Sequence, residues 1–561
     1  MRLSSRRFFQ RLFFNEAGLA WRLGSLLVAV CVVSPVITLG WLATTGSIGH
    51  WTHLLQYVLP TAMGNTLALL IGVGILVSCL GTGAAWLVTA YSFPSRGVLS
   101  WALLLPLAVP TYIVAFAYLD ILHPIGPVQT VIRDILGYGS PREFRLPDLR
   151  SLPGAIFLLG FVLYPYVYLS TRIMFSTQAA SLLEAGRILG QSSRGVFFRV
   201  ALPLARPAIA VGVSLALLET LNDIGASEFL GVQTLTVSVY TTWITRSDLA
   251  GAAQIALAML ALVVALILLE RHGRKRQRYA NTQRMRPIQA KPLKGTAALI
   301  AVVLGWLPII VGFVVPALYL LAETFKHLQQ AGGVSEQLLH SGYNTVRVAL
   351  IATAVVIVGG LVVTWAARGV RSRSPYAASK VAARVATIGY ALPGTVLAIG
   401  LLAPVNFIDD ALSWVVELFT GVSPGLILMG SSTALVGAYA IRFLAIAVGG
   451  LESGLARIPP SLEQASRLLG ETPTGTLRRV HLPLLRPAIG AAALLVFVDA
   501  MKELPATLLL RPVNFETLAT WLYAEAARGT YEEGAVAALA IVLAGLLPVI
   551  LLARHQLKSG H

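Results

Sequence analysis

Charge is scarce in this sequence. Asp, Glu, Lys and Arg make up 12% of the 561 residues, about half the ~25% usual in soluble globular domains. With 56% hydrophobic residues and a mean hydropathy of +0.75, a water-soluble globular protein is excluded, because no core of this size hides that much apolar surface. Cysteine is nearly absent. Cys31 and Cys79 both lie in apolar runs, which excludes a disulfide framework and a cysteine-rich metal centre. No Gly-x4-Gly-Lys-Ser/Thr phosphate loop and no His-Glu-x-x-His pattern occurs, so the chain is neither an ATPase by itself nor a zinc protease.

Long apolar runs fill the space that charge leaves. Runs of about 20 residues cross a bilayer as helices, and twelve are predicted: 24–45, 61–90, 98–122, 153–175, 207–230, 251–270, 296–322, 343–367, 385–405, 426–450, 488–510 and 534–553. The first run is too long for a signal-peptide core and reads as a retained span. The expected fold class is an all-α polytopic membrane protein.

The net charge of +18 would point to nucleic acid in a soluble chain, but here its placement gives topology instead. With both termini cytoplasmic, the inside segments outnumber the outside ones in Lys and Arg by about four to one. Segment 271–295 divides the spans six and six; its nine basic residues and two prolines read as a solvated connector near anionic headgroups. Residues 1–270 and 296–561 are the predicted six-span repeats on either side.

The repetition is explicit. Residues 181–209 align without a gap to 461–489, with 16 of 29 positions identical at an offset of 280; Asn65-Thr66 matches Asn344-Thr345 and Trp86 matches Trp365 at an offset of 279. An even number of spans separates the copies, so both have one orientation. Such parallel repeats form a pseudo-two-fold axis along the membrane normal with a pathway between the halves.

Each copy carries one loop motif. Glu184-Ala185-Gly186, Gly190 and Leu202-Pro203 in the first correspond to Gln464-Ala465-Ser466, Gly470 and Leu482-Pro483 in the second. The spacing predicts a short helix ended by glycine, with proline setting the chain as it re-enters the membrane. This resembles the Glu-Ala-Ala-x3-Gly-x9-Ile-x-Leu-Pro loop of permease subunits in bacterial ATP-binding-cassette importers. The fold implied is that of a type I importer permease, with two tandem six-helix repeats in the bacterial inner membrane. The resemblance implies that each loop docks on a cytoplasmic ATPase subunit, two copies in all, that ATP and Mg bind there rather than on this chain, and that a periplasmic binding protein delivers substrate. On that reading Glu184 makes a polar contact, the small residues permit close approach and the glycines turn the chain. Gln464 departs from the pattern and loses the charge. Lipid is the other partner, and no nucleic acid is.

Segments 220–234 and 499–512 look like the corresponding stretches of fused ferric-iron permeases, with thiamine, aminophosphonate or another small solute as alternatives in the same architecture. They also place acids at membrane depth, where these are costly and commonly functional. Glu219 and Asp223 share a helix face, as do Asp499 and Glu503. Two readings stand: a pathway weakly attracting a hard cation, or structural pairing, with Lys502 or Arg442 as partner. An ion-gradient-driven secondary transporter using these acids as proton relays is the remote rival. His50 and His53 lack a third ligand in sequence. Tyr164, Tyr166 and Tyr168 surround Pro165 as packing or interfacial residues. Loop 123–152, with Arg133, Arg142, Arg145 and Arg150, reads as a docking surface or a solvated loop.

Overall fold

The computed structural model describes residues 19–46, 51–52, 54–177, 188, 190–274, 290–368 and 378–559. Helices make up nearly all of it: α1 (Leu19–Thr45), α2 (Leu59–Ala90), α3 (Thr111–Ile121), α4 (Leu152–Thr177), α5 (Leu202–Asn222), α6 (Leu249–Arg274), α7 (Thr296–Ala331), α8 (Glu336–Arg368), α9 (Gly394–Thr420), α10 (Thr433–Ala456), α11 (Leu482–Met501) and α12 (Tyr531–Ser559). Among the described residues eleven helices are long and apolar enough to cross a membrane, and a twelfth span arises when Arg96–Ala108 and Thr111–Ile121 are taken together. In lipid every backbone group needs an internal partner, which helices supply.

Four predicted spans need correction. The third span is not one helix: its two parts meet at 90°. Pro110 has no N–H to donate and holds Val109 extended, at φ −106° and ψ 117°. The spans predicted over 207–230 and 488–510 stop at Asn222 and Met501, and separate short helices, Gly225–Phe229 and Pro505–Leu510, follow. The span predicted over 385–405 instead begins at Gly394, after Pro393, and runs to Thr420 through what was expected as loop.

Prolines also start helices as their chemistry requires. Pro203 and Pro483 sit in the first turns of α5 and α11. Each follows a π-turn, Phe197–Ala201 or Leu477–His481. The widened turn accommodates a ring that would otherwise strike the carbonyl four residues back.

The chain gathers into two compact units. One comprises 1–48, 242–257 and 339–520, and the other 49–241, 258–338 and 521–561. In the first, α1 lies against α9 and the helix Ala378–Ala386 that precedes it; in the second, α2 packs on α4, α5 on α4, and α12 on α7. Each half of the sequence therefore contributes its first span to the unit built around the other half. A small parallel strand pair, Tyr91–Ser92 with Lys291–Pro292, joins the end of the linker to the loop after α2.

Close helix contact in the first unit depends on glycine. A Cβ at Gly400 of α9 would lie 2.3 Å from the Pro35 carbonyl oxygen of α1, whereas one at Gly437 of α10 would meet nothing within 4 Å. Gly400→Ala is expected to destabilise the protein by about 1–3 kcal/mol. Gly437→Ala should be neutral or slightly stabilising. Paired melting curves in detergent read the difference, and equal melting temperatures would refute the contact.

Candidate functional site: the repeated loops and the broken spans

The second repeated loop is described in full. Its first helix, Pro460–Leu468, starts with proline, carries Glu463 in its first turn and ends at Gly470, whose φ of +84° requires the left-handed region. The Gly470 N–H donates to Arg467 O at 3.0 Å and the Glu471 N–H to Ser466 O at 3.1 Å, closing the turn. Thr472 then caps the second short helix, Pro473–Thr476, accepting from the Gly475 N–H at 3.1 Å. Ser466 is buried, and its hydroxyl meets the Thr476 hydroxyl at 2.9 Å, tying the two short helices together. Gln464 and Ala465 are exposed, and Leu482 and Pro483 begin α11.

In the first loop Gly190 has a φ of +79°, Ser192 caps Ser193–Val196, and Leu202 and Pro203 begin α5. Glu184, Ala185 and Gly186 lie outside the described residues, as do His50 and His53. Sequence reasoning missed the apolar tips beside the turns. Leu468 and Leu469 are 89% and 85% exposed, and Ile188, the counterpart of Leu468, is 85% exposed. Two bulky apolar residues just before a glycine C-cap were the available signal.

A more extensive omission concerns how the second loop is held. Arg368, the last residue of α8, donates through Nε to the Glu463 carboxylate and through its terminal nitrogens to Leu455 O and, at 3.0 Å, to Ile458 O. The same carboxylate oxygen lies 3.2 Å from Nε2 of His481. His481 is fully buried and packs on the Trp365 ring, with centroids 4.9 Å apart. Partial burial alone would raise the Glu463 carboxyl; the neighbouring His481 and the Arg368 guanidinium outweigh it and hold the group at about 2.

At the broken spans the carboxylates close the backbone. Asp223, buried, accepts from Thr111 Oγ1 at 2.6 Å, the Ser227 N–H at 2.8 Å and Ser227 Oγ at 3.1 Å. Glu503, its counterpart, accepts from Arg442 at 3.1 Å, the Ala506 N–H at 3.1 Å, the Thr507 N–H at 3.2 Å and Thr507 Oγ1 at 3.0 Å. Each carboxylate thus holds the start of the short helix after its span. Asp499, half-buried, pairs with Lys502 at 2.8 Å, and Glu219 is half-buried on α5. Each i, i+4 pair therefore has one inner, buried member and one more accessible member.

The matched Asn-Thr pairs support the same returning segments. Asn65 donates to Gln233 O at 3.1 Å while Thr66 accepts the Leu235 N–H at 3.0 Å. Asn344 donates to Glu516 O at 3.1 Å while Thr345 accepts the Leu518 N–H at 2.8 Å. Among the described residues no group of three His, Cys, Asp or Glu could hold a metal ion. Gly421-Val422-Ser423-Pro424-Gly425 spells the pattern of a nucleophile elbow but lies in a turn between helices, without the strand that such an elbow requires. Of the arginines in loop 123–152, Arg133 is buried and donates to Pro124 O at 2.7 Å, so it braces the loop. Tyr164 and Tyr168 are fully buried, as packing residues are.

Comparison with known proteins gives a consistent picture. Residues 77–279 and 365–558 each match the family described as binding-protein-dependent transport system inner membrane component. The chain is 25% identical over 508 residues to the Fe(3+)-transport system permease protein FbpB 2 of Haemophilus influenzae, covering 88% of this chain and 90% of that one. It is 30% identical over 205 residues to the molybdenum transport system permease protein ModB of Escherichia coli, covering 34% of this chain and 86% of the relative. A putative 2-aminoethylphosphonate transport system permease protein, PhnU, of Salmonella choleraesuis is 29% identical over 195 residues, with 34% and 67% covered.

Two outcomes follow from this geometry. Glu503→Ala strands the buried Arg442 and is expected to cost about 3–5 kcal/mol, whereas Asp499→Asn should cost under about 1 kcal/mol; thermal melts of the two variants test the ranking. The depressed Glu463 carboxyl stabilises the folded loop fully above its unfolded value of 4.5, and that contribution is lost as pH falls toward about 2. Amide exchange over 460–482, compared at pH 5 and pH 3, should show this loosening in the wild type and much less of it in Glu463→Gln.

Proposed function

Because this chain belongs to the family of inner-membrane components of binding-protein-dependent transport systems, we propose that it is the fused permease subunit of an ATP-binding-cassette importer that carries ferric iron from periplasm to cytoplasm. One observation carries the transport mechanism: both repeats present a glycine-turned loop fixed directly to a proline-started span. Such a loop is a lever. Two ATPase subunits, one at each loop, would close on ATP and draw the levers at Glu184 and Gln464 together, tilting α5 and α11. The pathway would switch between inward-open and outward-open, with a periplasmic binding protein supplying cargo. Both termini and the linker are cytoplasmic on this reading, as the bias of Lys and Arg supports.

The iron assignment is supported by architecture. The relative named for Fe(3+) transport is matched across both repeats, whereas those named for molybdenum and aminophosphonate match about one repeat. Ferric iron is cargo here, and a tight carboxylate cage would retain it. Glu219 and Asp499, the more accessible acids, suit weak attraction, while Asp223 and Glu503 are engaged in holding backbone.

Uptake of radiolabelled ferric iron at limiting iron tests this reading. Uptake should require the gene and respond to ATP depletion rather than to collapse of the proton gradient; unchanged uptake would move the assignment to another small solute, and gradient dependence would replace the importer reading with a secondary transporter. An ATPase subunit should copurify in mild detergent and detach on combining Glu184→Arg with Gln464→Arg. Glu219→Gln with Asp499→Asn should slow uptake severalfold without loss of assembly, and unaltered uptake would remove these acids from the pathway.

A further inference from the structure

The two levers are built differently. In the second repeat Arg368 fastens three things: the Glu463 carboxylate in the first helix of the loop, the Leu455 carbonyl in the last turn of α10, and the Ile458 carbonyl in the connection between them. A planar guanidinium with several fixed donors suits this forked task as an ammonium does not. Its charge also sits at the carbonyl end of α10, and Glu463 sits at the amide end of the loop helix, each favoured by the helix dipole. His481 closes the far side, since it lies at the junction with α11 and reaches the same carboxylate oxygen.

The first repeat has none of these groups. At the offset that pairs Trp86 with Trp365, Thr89 stands where Arg368 does; at the offset of the loops, Leu183 stands for Glu463 and Ala201 for His481. The Thr89 hydroxyl donates to Ala85 O in its own helix at 2.7 Å. Trp86 instead packs among aromatic rings, with Phe175 and Phe197 each 5.2 Å away between centroids. Aromatic packing is non-directional, whereas an ion pair with two backbone acceptors fixes both angle and distance.

We infer that Arg368, Glu463 and His481 are positioning residues that lock the second loop to α8 and α10, so that it transmits ATPase motion as a rigid body. The inference rests on the importer reading above. It also gives Gln464 a context: the loop with the uncharged docking residue is the one clamped from behind.

The test uses the whole complex, this chain with its copurifying ATPase subunits in lipid nanodiscs, with Cys31 and Cys79 replaced by serine. Spin labels at Leu468 and Ser453 report the second loop against α10, and labels at Ile188 and Ile173 report the matching pair in the first repeat. Arg368→Thr should broaden the 468–453 distance distribution and leave the 188–173 distribution unchanged, with Arg368→Lys intermediate. Turnover of MgATP should fall roughly threefold at unaltered KM, the pattern of a lost transmission step rather than of lost nucleotide binding. Because a buried charge left alone can unfold a protein, the triple variant Arg368→Thr, Glu463→Leu, His481→Ala installs the first repeat's residues and removes the charges together. It should fold, and it should show the same broadening. An unchanged 468–453 distribution in the triple variant overturns the proposal, as does broadening with unaltered turnover. Turnover and copurification are measured on the unlabelled variants, which keep both docking tips, so the ATPase should still copurify; its absence from the wild-type preparation would count against the importer reading instead.

Discussion

A helix that stops where the chain is buried leaves amides and carbonyls that no water can satisfy, and the structure around residues 223–248 and 503–530 is organised by that constraint. Asp223 and Glu503 accept the amides that open the next short helix, and Asn65-Thr66 and Asn344-Thr345 hold the chain where it turns back. With these groups in place, the chain passes from α5 through short helices to α6 with these amides accepted. Asp223 and Glu503 therefore hold this backbone whether or not cargo touches them. Their i−4 partners, Glu219 and Asp499, are the more accessible members of each pair.

Duplication preserves this framework while its supports diverge. Asp223 uses hydroxyl and backbone donors, whereas Glu503 adds the buried guanidinium of Arg442. The longer side chain of glutamate makes room for the extra partner. The surroundings of Trp86 and Trp365 diverge in the same way, toward aromatic packing in one copy and an Arg368–Glu463 ion pair beside His481 in the other. A duplicated, fused chain can accumulate such differences because its two halves never exchange places, as subunits of a homodimer would have to.

Much of the fold was legible in the sequence, since apolar length and the repeat are strong one-dimensional signals. The glycine and proline geometry of the loops was legible too, because Gly470 and Pro483 act through their own backbone. What escaped was side-chain partnership across distance. Nothing near Arg368 in sequence announces Glu463 or His481, and a single charged residue at the end of a span reads simply as an interfacial anchor. The ends of α5 and α11 were overrun because residues 223–230 and 503–510 stay apolar enough to extend a hydropathy window; only the pairing of Asp223 and Glu503 with amides shows the stop. The interleaving of the halves was likewise invisible, since hydropathy carries no information on which helix packs on which.

That interleaving bears on how the protein is made. The first span, α1, lies against α9, which begins at Gly394, so roughly 350 residues must be synthesised before its partner exists. At about 5–20 residues per second the span waits tens of seconds in the bilayer with one face uncovered. The seventh span waits less, because the first-half helices it touches are already inserted when it emerges and only α12, roughly 200 residues later, is still to come. Biogenesis is thus asymmetric along the chain: the amino-terminal span is the one most in need of an insertase or holding chaperone, and the first half cannot complete its own unit until the second half has been threaded in.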